Sequence, residues 1–355
     1  MVLQGFRTIA TRQELNEAEA LLRASGLSLP DGIDTGIGFF EDGRLGGTAF
    51  LAGATICGVC VDAAHRGRGL ASSLVGRILS QALGDGIQRV CIFTKANEAP
   101  KFASLGFHLV ASTEKAAMLE FGEPDYAAWS RRTAETLQHA RRTMPKNSGG
   151  PFGAVVINAN PFTLGHHALV AEAAARCAQA VVFVVEEDAS SFPFGDRLEL
   201  VRRGASDLEN VVVVPGGPYM VSRASFPAYF SGREAHAAVH AEVDARIFAA
   251  RIAPDMGIGI RFVGSEPYCP ATATYNRVLR RVLPEYGIAI EEMPRECAAG
   301  KIISASEVRR IMRDGDLPSH IPELERLVPP STLQFLLSDK GRAIAEDLRG
   351  KTGRH

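Results

Sequence analysis

Apolar positions along this chain follow two rhythms. In the first part they alternate with polar residues or recur at helical spacing. "TRQELNEAEALLRASG", Thr11 to Gly26, carries its apolar residues on one face and predicts an amphipathic helix that stops at Gly26. "IGFFEDGRLGGTAFLAGATICGVCVD", from Ile37, reads as a meander of strands with turns at Asp42-Gly43 and Gly46-Gly47. "RGLASSLVGRILSQALGDG" predicts a helix, "RVCIFT" a strand and "NEAPKFASLG" a short helix. Further along, the strands become near-continuous β-branched runs: "GAVVI", "AVVFVVEE", "VVVVPG", "IRFVGS" and "IAIEEM". Helical segments such as "GHHALVAEAAARCAQ" and "FGDRLELVRRGASDL" lie between them. Runs of this kind suit a parallel sheet buried on both faces, so the second part predicts a three-layer α/β domain.

The rhythm changes at "RRTMPKNSGGPFG", Arg141 to Gly153, where Pro, Lys, Asn, Ser and Gly interrupt the pattern. Two domains are therefore expected, 1–145 and 146–337, with 338–355 as a C-terminal tail. Just before the break, "PDYAAWSRRTAETLQHARRTM" predicts a helix whose Arg131, Arg132, Arg141 and Arg142 read as a solvated face.

Charge narrows the classes of partner. The 355 residues hold 39 Lys+Arg against 40 Asp+Glu, which argues against a nucleic-acid backbone or an anionic membrane as the main partner. No apolar run reaches the length of a membrane span, and the N-terminus shows no signal-peptide pattern. Six scattered cysteines fit a reducing cytoplasm better than a disulfide framework. Cys57 and Cys60 form C-G-V-C inside a predicted strand. Residues three apart in a regular strand point to opposite faces, so the pair is not expected to grip one metal ion.

Two stretches carry candidate chemistry. In "VDAAHRGRGLASSLVGRIL" a strand runs into Arg66, Gly67, Arg68, Gly69, Leu70 and Ala71 at a helix start. Glycines there let a ligand approach the backbone, and free N–H groups suit a pyrophosphate. The second is "VVINANPFTLGHHALV", where a polar turn joins a buried strand to a helix. It is either a capped connection or a phosphate site. His167 sits about 100° round the helix from His166 and is expected to point elsewhere. Near the end of the second domain, Ser304 or Ser306 in "KIISASEVRRIMRDGD" caps another helix bearing Arg309. Ser265 and Glu266 follow a strand at the same expected edge, where ligands of such sheets lie. His236, His240 and Asp244 share a helix face at i, i+4 spacing, read as a polar face before a metal site. Arg197 and Arg223 are candidate carboxylate anchors, with structural pairing the alternative.

The first loop resembles the acetyl-coenzyme A loop of GNAT acyltransferases, and "FTKANEAPKFASLGF" resembles that family's next motif, with Asn97 before the helix and Phe102, Leu105, Gly106 and Phe107 closing it. The resemblance covers roughly residues 1–125. It implies a pocket for a coenzyme A-like arm held by Arg66 to Ala71 and Asn97. No obvious base stands there, although Asp62 and Glu98 are possible; a thiol acceptor needs less help. Thr163-Leu164-Gly165-His166 resembles the T-x-G-H form of the H-x-G-H signature of nucleotidyltransferases, and Ile303 to Arg309 resembles their I-S-x-S-x-x-R motif. That resemblance implies a Rossmann-like adenylating domain. Thr163, His166 and Arg309 then act in phosphate chemistry, and Asn158, Asn160, Gly165, Ser265, Glu266, Ser304 and Ser306 contact ATP.

Longer strings, "NANPFTLGH", "FVVEEDASSFPFGDR", "SRASFPAYF", "RFVGSEPYCP" and "ISASEVR", are similar to the citrate (pro-3S)-lyase ligase family. This implies a cytoplasmic acid–thiol ligase. Acetate, ATP and the thiol form of the citrate lyase acyl carrier protein would give acetyl-carrier, AMP and pyrophosphate, with Mg²⁺ on the phosphates and no protein-bound metal. Open alternatives are an adenylyltransferase acting on a phosphate ester with a regulatory GNAT-like domain, a carrier-binding adaptor without turnover, and a related carrier. Whether the GNAT-like domain transfers acetyl groups or only docks the arm also stays open.

Overall fold

The computed structural model describes residues 4–29, 32–143, 150–186, 190–222, 237–266, 269–298 and 301–350. Arg223 and His236 lie outside the described residues. Packing divides the chain into Met1–Trp129 and Ser130–His355, so the division falls inside a helix, ahead of the glycine-rich stretch.

The first unit is built on a seven-stranded sheet of order β1-β2-β3-β4-β5-β7-β6. Its strands are β1 (Gly5–Thr8), β2 (Thr35–Glu41), β3 (Arg44–Ala52), β4 (Thr55–Val61), β5 (Arg89–Lys95), β6 (His108–Ser112) and β7 (Ala116–Gly122). Helix α1 (Arg12–Ala24) starts at a reciprocal Thr11–Glu14 capping box. It packs Ala18 and Leu22 against Phe40, Phe50 and Cys60 on one face of the sheet. On the other face α2 (Leu70–Gly84) buries Leu74, Val75 and Ile78 against Phe39, Ala49, Leu51 and Ile92. Each such side chain contributes roughly 1.5–3 kcal/mol when fully buried.

Two expectations for the meander change. Asp42 (φ 52°) and Gly43 (φ 77°) form the β2–β3 turn, matching the left-handed pair of a tight hairpin. Gly46 and Gly47 are not a turn; they lie within β3. Gly47 is there because a Cβ would stand 3.0 Å from Leu74 and 3.1 Å from the Cys60 carbonyl. Cys57 and Cys60 also differ from the regular-strand reading. Phe50 pairs with Cys57 and Thr48 with Cys60, so Gly58 and Val59 of β4 together oppose Ala49 of β3. This bulge, with Gly58 at φ 56°, puts both cysteines on the α1 face. Burial pushes the Cys57 thiol up to about 12, which disfavours the thiolate a metal needs. Strand β4 pairs with β5 in parallel only at Thr55–Cys91 and Ile56–Ile92.

Helix α3 (Ala99–Ala103) lies between β5 and β6, and helix α4 (Tyr126–Thr143) leads into the second unit. Arg141 is not on a solvated face: it donates to Gln179 and to the Met256 carbonyl, and stacks 3.7 Å from the centre of the Phe152 ring. Arg131, Arg132 and Arg142 are exposed.

The second unit holds the predicted parallel sheet, of order β10-β9-β8-β11-β12. The strands are β8 (Phe152–Ile157), β9 (Gln179–Val184), β10 (Val211–Pro215), β11 (Ile258–Gly264) and β12 (Ala289–Met293). All four pairings are parallel. Strand order reverses between β8 and β11, and a crevice at such a point is where these sheets bind ligands. One face buries Val155, Ile157, Val182, Ile260 and Phe262 against α5 (Leu164–Arg176) and α6 (Phe194–Gly204). Ala345 and Leu348, on the helix Asp339–Gly350, are buried in the same core, so residues 339–350 of the segment expected as a tail pack into this domain. Among the described residues no helix is long and apolar enough to cross a membrane.

Candidate functional site

Strand β8 delivers the chain to the sheet edge at Asn158. The next residue, Ala159, is held at φ 51°, a left-handed conformation that costs a non-glycine residue energy and recurs at functional sites. Asn160 is buried, and its Oδ1 accepts from the Phe192 N–H at 3.1 Å. Asn158 exchanges hydrogen bonds with Ser190 at 2.9 and 3.1 Å. Both asparagines thus brace the turn.

Thr163 caps α5, its Oγ1 accepting from the His166 N–H at 3.3 Å. In return His166 Nδ1 accepts from the Thr163 N–H at 3.0 Å, with the Thr163 hydroxyl 2.8 Å away. A backbone N–H only donates, so Nδ1 carries no proton in the neutral ring and Nε2 is the donor. Burial, then the Arg295 guanidinium, pushes the imidazole down to about 4, so the ring is neutral at pH 7. It also stacks on Phe162, ring centres 5.7 Å apart. His167 turns away to Asp207 at 3.0 Å.

The second motif meets the first. Ser304 caps the helix Ala305–Asp314, accepting from the Glu307 N–H at 3.2 Å, and Ser306 Oγ lies 3.0 Å from Ser304 Oγ. Arg309 donates to the Asn160 carbonyl. A Cβ on Gly165 would stand 3.3 Å from the Ile303 carbonyl, a tight contact that would press the two motifs apart by a few tenths of an ångström. Two helix N-termini and a neutral imidazole donor therefore face one edge of the sheet, a setting suited to phosphate oxygens.

Sequence reading missed Arg295. It donates to the Ser265 carbonyl at 2.7 Å, is paired with Glu266, and lowers the His166 pKa across the edge. Glu266 also accepts from the Cys269 N–H at 3.0 Å. Arg295 lies after β12 in "PREC", with no motif around it. Proximity to the T-x-G-H turn, visible only in three dimensions, is what marks it.

Other expected residues fall elsewhere. Arg197 is 0% exposed and donates to the carbonyls of Phe192, Asn158 and Val185 and to Asn158 Oδ1. It clamps the edge loops, a placement that favours structural pairing over a substrate anchor. Asp244 faces inward at 0% exposure and accepts from the Val221 N–H at 2.7 Å and the Tyr275 hydroxyl at 2.6 Å. Among the described residues no group of three or more His, Cys, Asp or Glu stands together as a metal site.

In the first unit, Gly67 (φ 79°) and Gly69 (φ 71°) adopt left-handed conformations with nothing within 4 Å of a Cβ position. Gly69 caps α2 without a side-chain hydrogen bond, so the first N–H groups of the helix carry no side-chain cap. Arg66 is exposed, while Arg68 is paired with Glu41 at 3.0 Å. Asn97 is exposed beyond β5. Neither candidate base stands alone: Asp62 contacts His65 at 3.2 Å and Glu98 pairs with Lys101 at 2.6 Å. The His65 contact, above all, holds the Asp62 carboxyl below its usual range.

Sheet order and loops together define a two-domain α/β protein that joins a GNAT-type domain to a parallel-sheet domain with a helix-capped edge site. Family comparison agrees: residues 17–107 match the acetyltransferase (GNAT) family and residues 152–336 match the citrate lyase ligase C-terminal domain. The chain belongs to the citrate lyase ligase family of enzymes. It is 33% identical to the citrate (pro-3S)-lyase ligase of Klebsiella pneumoniae, over 95% of this chain and 96% of that one. Identity to the Escherichia coli K12 protein of the same name is 34%, over 91% and 90%. Among solved structures, an N-acyl amino acid synthase from uncultured soil microbes aligns over 36% of this chain and 94% of that one, at 15% identity and a TM-score of 0.31.

Proposed function

We propose that the chain activates acetate with ATP and passes the acetyl group to a thiol on the acyl carrier subunit of citrate lyase, in the cytoplasm. One acetate oxygen attacks the α-phosphorus of ATP; the bond to the β-phosphate oxygen breaks and pyrophosphate leaves. The carrier thiol loses its proton and attacks the acetyl carbon; the bond to AMP breaks and a thioester forms. No protein nucleophile is needed.

The observation that carries the reading is the fixed tautomer of His166. Its Nδ1 is occupied by Thr163, which leaves Nε2–H to donate to a phosphate oxygen. Arg309, Ser304 and Ser306 lie on the helix that approaches this turn, and Arg295 adds positive charge. Preorganised donors of this kind stabilise charge that develops on transferring phosphates. Thr163, Asn158 and Asn160 shape the turn, Gly165 allows the helix approach, and Ser265 and Glu266 border the nucleotide. Mg²⁺ would arrive with ATP and supply charge neutralisation on the phosphates, beside the positive charge that Arg295 and Arg309 offer at this edge.

The first unit receives the carrier's arm, a coenzyme A derivative in the family, at Arg66 to Ala71 with Asn97 nearby. Pairing of both Asp62 and Glu98 favours docking, or transfer to an already acidic thiol, over activation of an amine. Acetate-dependent exchange of labelled pyrophosphate into ATP tests the first half-reaction. Folded enzyme that exchanges with no short carboxylate would overturn it, and exchange supported by a phosphate ester would point to an adenylyltransferase.

A further inference from the structure

Behind the edge site lies a buried guanidinium with two unmet donors. Arg261 is on β11, three residues before the strand end at Gly264, and is 2% exposed. Its neighbours Ile260 and Phe262 face the core under α5, so strand alternation turns Arg261 to the opposite face. Its guanidinium stands 4.5 Å from the centre of the Phe248 ring. Nε and Nη1 are buried without a hydrogen-bond partner. The Asp244 carboxylate offsets its charge, and the Tyr275 hydroxyl, which donates to Asp244 at 2.6 Å, accepts from the guanidinium, leaving Nε and Nη1 unserved. A guanidinium keeps its charge inside proteins, and buried donors left unmet are strongly unfavourable. An acceptor is needed at Nε and Nη1.

We propose that Arg261 binds the carboxylate of an acetate-sized acid in a small internal site walled by Phe248 and Tyr275. The unmet Nε and Nη1 lie on different edges of the guanidinium, and a carboxylate on either edge takes two parallel hydrogen bonds, one from the unmet donor and one from Nη2. The Phe248 ring provides an apolar surface for a short alkyl group. Asp244 nearby disfavours dianions such as phosphate or a dicarboxylate. The walls are tied to the sheet edge: Asn276, next to Tyr275, donates to the Gly264 carbonyl at 2.9 Å, and Asp244 holds Val221 at φ 48° beyond β10. A β-branched residue in that conformation is strained, as binding loops often are. The choice of acetate rests on the adenylation reading; the anion site rests on the unmet donors.

The test is binding of ¹³C-labelled acetate to the full chain by NMR, without ATP, beside the acetate and ATP KM values in pyrophosphate exchange. Arg261→Met is expected to weaken acetate binding and raise the acetate KM by about 30-fold, from the usual worth of charge-assisted hydrogen bonds, and to shift the ATP KM less than about twofold. Should that variant fail to fold, Arg261→Lys keeps the charge without the fork and is expected to lose about tenfold on acetate alone. Wild-type acetate affinity in a folded variant overturns the site and leaves the adenylation reading standing. Arg261-dependent acetate binding in a protein that shows no exchange upholds the site and defeats that reading.

Discussion

The Thr163 backbone N–H donates to His166 Nδ1 at 3.0 Å, and this one bond sets the protonation pattern of the edge site. Because Nδ1 is the acceptor, the proton of the neutral ring sits on Nε2. With the ring pushed down to about 4 by burial and Arg295, the neutral form holds across the physiological range. Nitrogen-edited NMR is expected to show a single Nε2–H tautomer from pH 8 to about 5. The sign for stability follows. A histidine whose folded pKa lies below its unfolded value stabilises above the unfolded value, near 6.5, and loses that contribution as pH falls toward 4. His166→Gln is therefore expected to flatten the acid limb of the stability curve while abolishing most pyrophosphate exchange. An unchanged acid limb together with full exchange would remove His166 from the site.

Gly165→Ala tests the approach of the two motifs. Its Cβ would meet the Ile303 carbonyl at 3.3 Å, and that carbonyl is backbone with little freedom to yield. A shift of a few tenths of an ångström moves Ser304 relative to His166. The expectation is a loss in exchange of roughly 10-fold to 100-fold, since misplacements near 1 Å cost about the upper figure. Stability should fall by no more than about 1–3 kcal/mol, as for other overpacked sites. An alanine variant with wild-type exchange would show that the spacing is not critical.

The five core strands and the two motifs that meet at the sheet edge were legible because each is local: a β-branched run, or a glycine beside a cap. What was not legible depends on partners far along the chain. Arg295 is ordinary in sequence and acquires meaning only when β12 returns it to the T-x-G-H edge. Cys57 and Cys60 read as opposed until the Gly58 bulge adds a residue to β4. Gly46-Gly47 looks like a turn, yet its small size serves packing under Leu74. Arg141 reads as solvated because its acceptors, Gln179 and the Met256 carbonyl, lie far downstream.

Arg197 separates scaffolding from substrate binding. Its guanidinium satisfies the carbonyls of Val185, Phe192 and Asn158. Arg197→Met is expected to lower the melting temperature sharply, consistent with about 3–5 kcal/mol for breaking a buried charged network, and to reduce all activities in proportion. The check is thermal unfolding beside the acetate and ATP KM values. A selective rise in the acetate KM at wild-type stability would restore the anchor reading.

Arg295→Ala removes a cation beside His166 and leaves Glu266 with one fewer partner. Loss of positive charge should let the His166 pKa rise from about 4, since Arg295 contributes to holding it down. The same change should weaken ATP, by about tenfold or more for a lost charge-assisted contact. Arg295→Lys should recover part of both effects. NMR titration of the imidazole and ATP binding by calorimetry report them separately. A raised pKa with unchanged ATP affinity would confine Arg295 to an electrostatic role on the ring.

Gly69→Val separates the two half-reactions. Gly69 caps α2 at φ 71°, where a β-branched side chain is strained, and its Cβ direction opens to solvent, so the added bulk meets incoming ligand before it meets protein. The strain itself is on the order of 1–2 kcal/mol, small enough to leave the unit folded. Pyrophosphate exchange needs only the second unit in the proposed scheme, so it should stay within about twofold of wild type. Transfer to the carrier should drop by about tenfold or more, because the valine displaces the arm from the uncapped N–H groups. Mass spectrometry of the acetylated carrier, run beside the exchange assay, reads both. If transfer survives intact, the arm does not pass over this loop, and the GNAT-type unit serves some other purpose than receiving it.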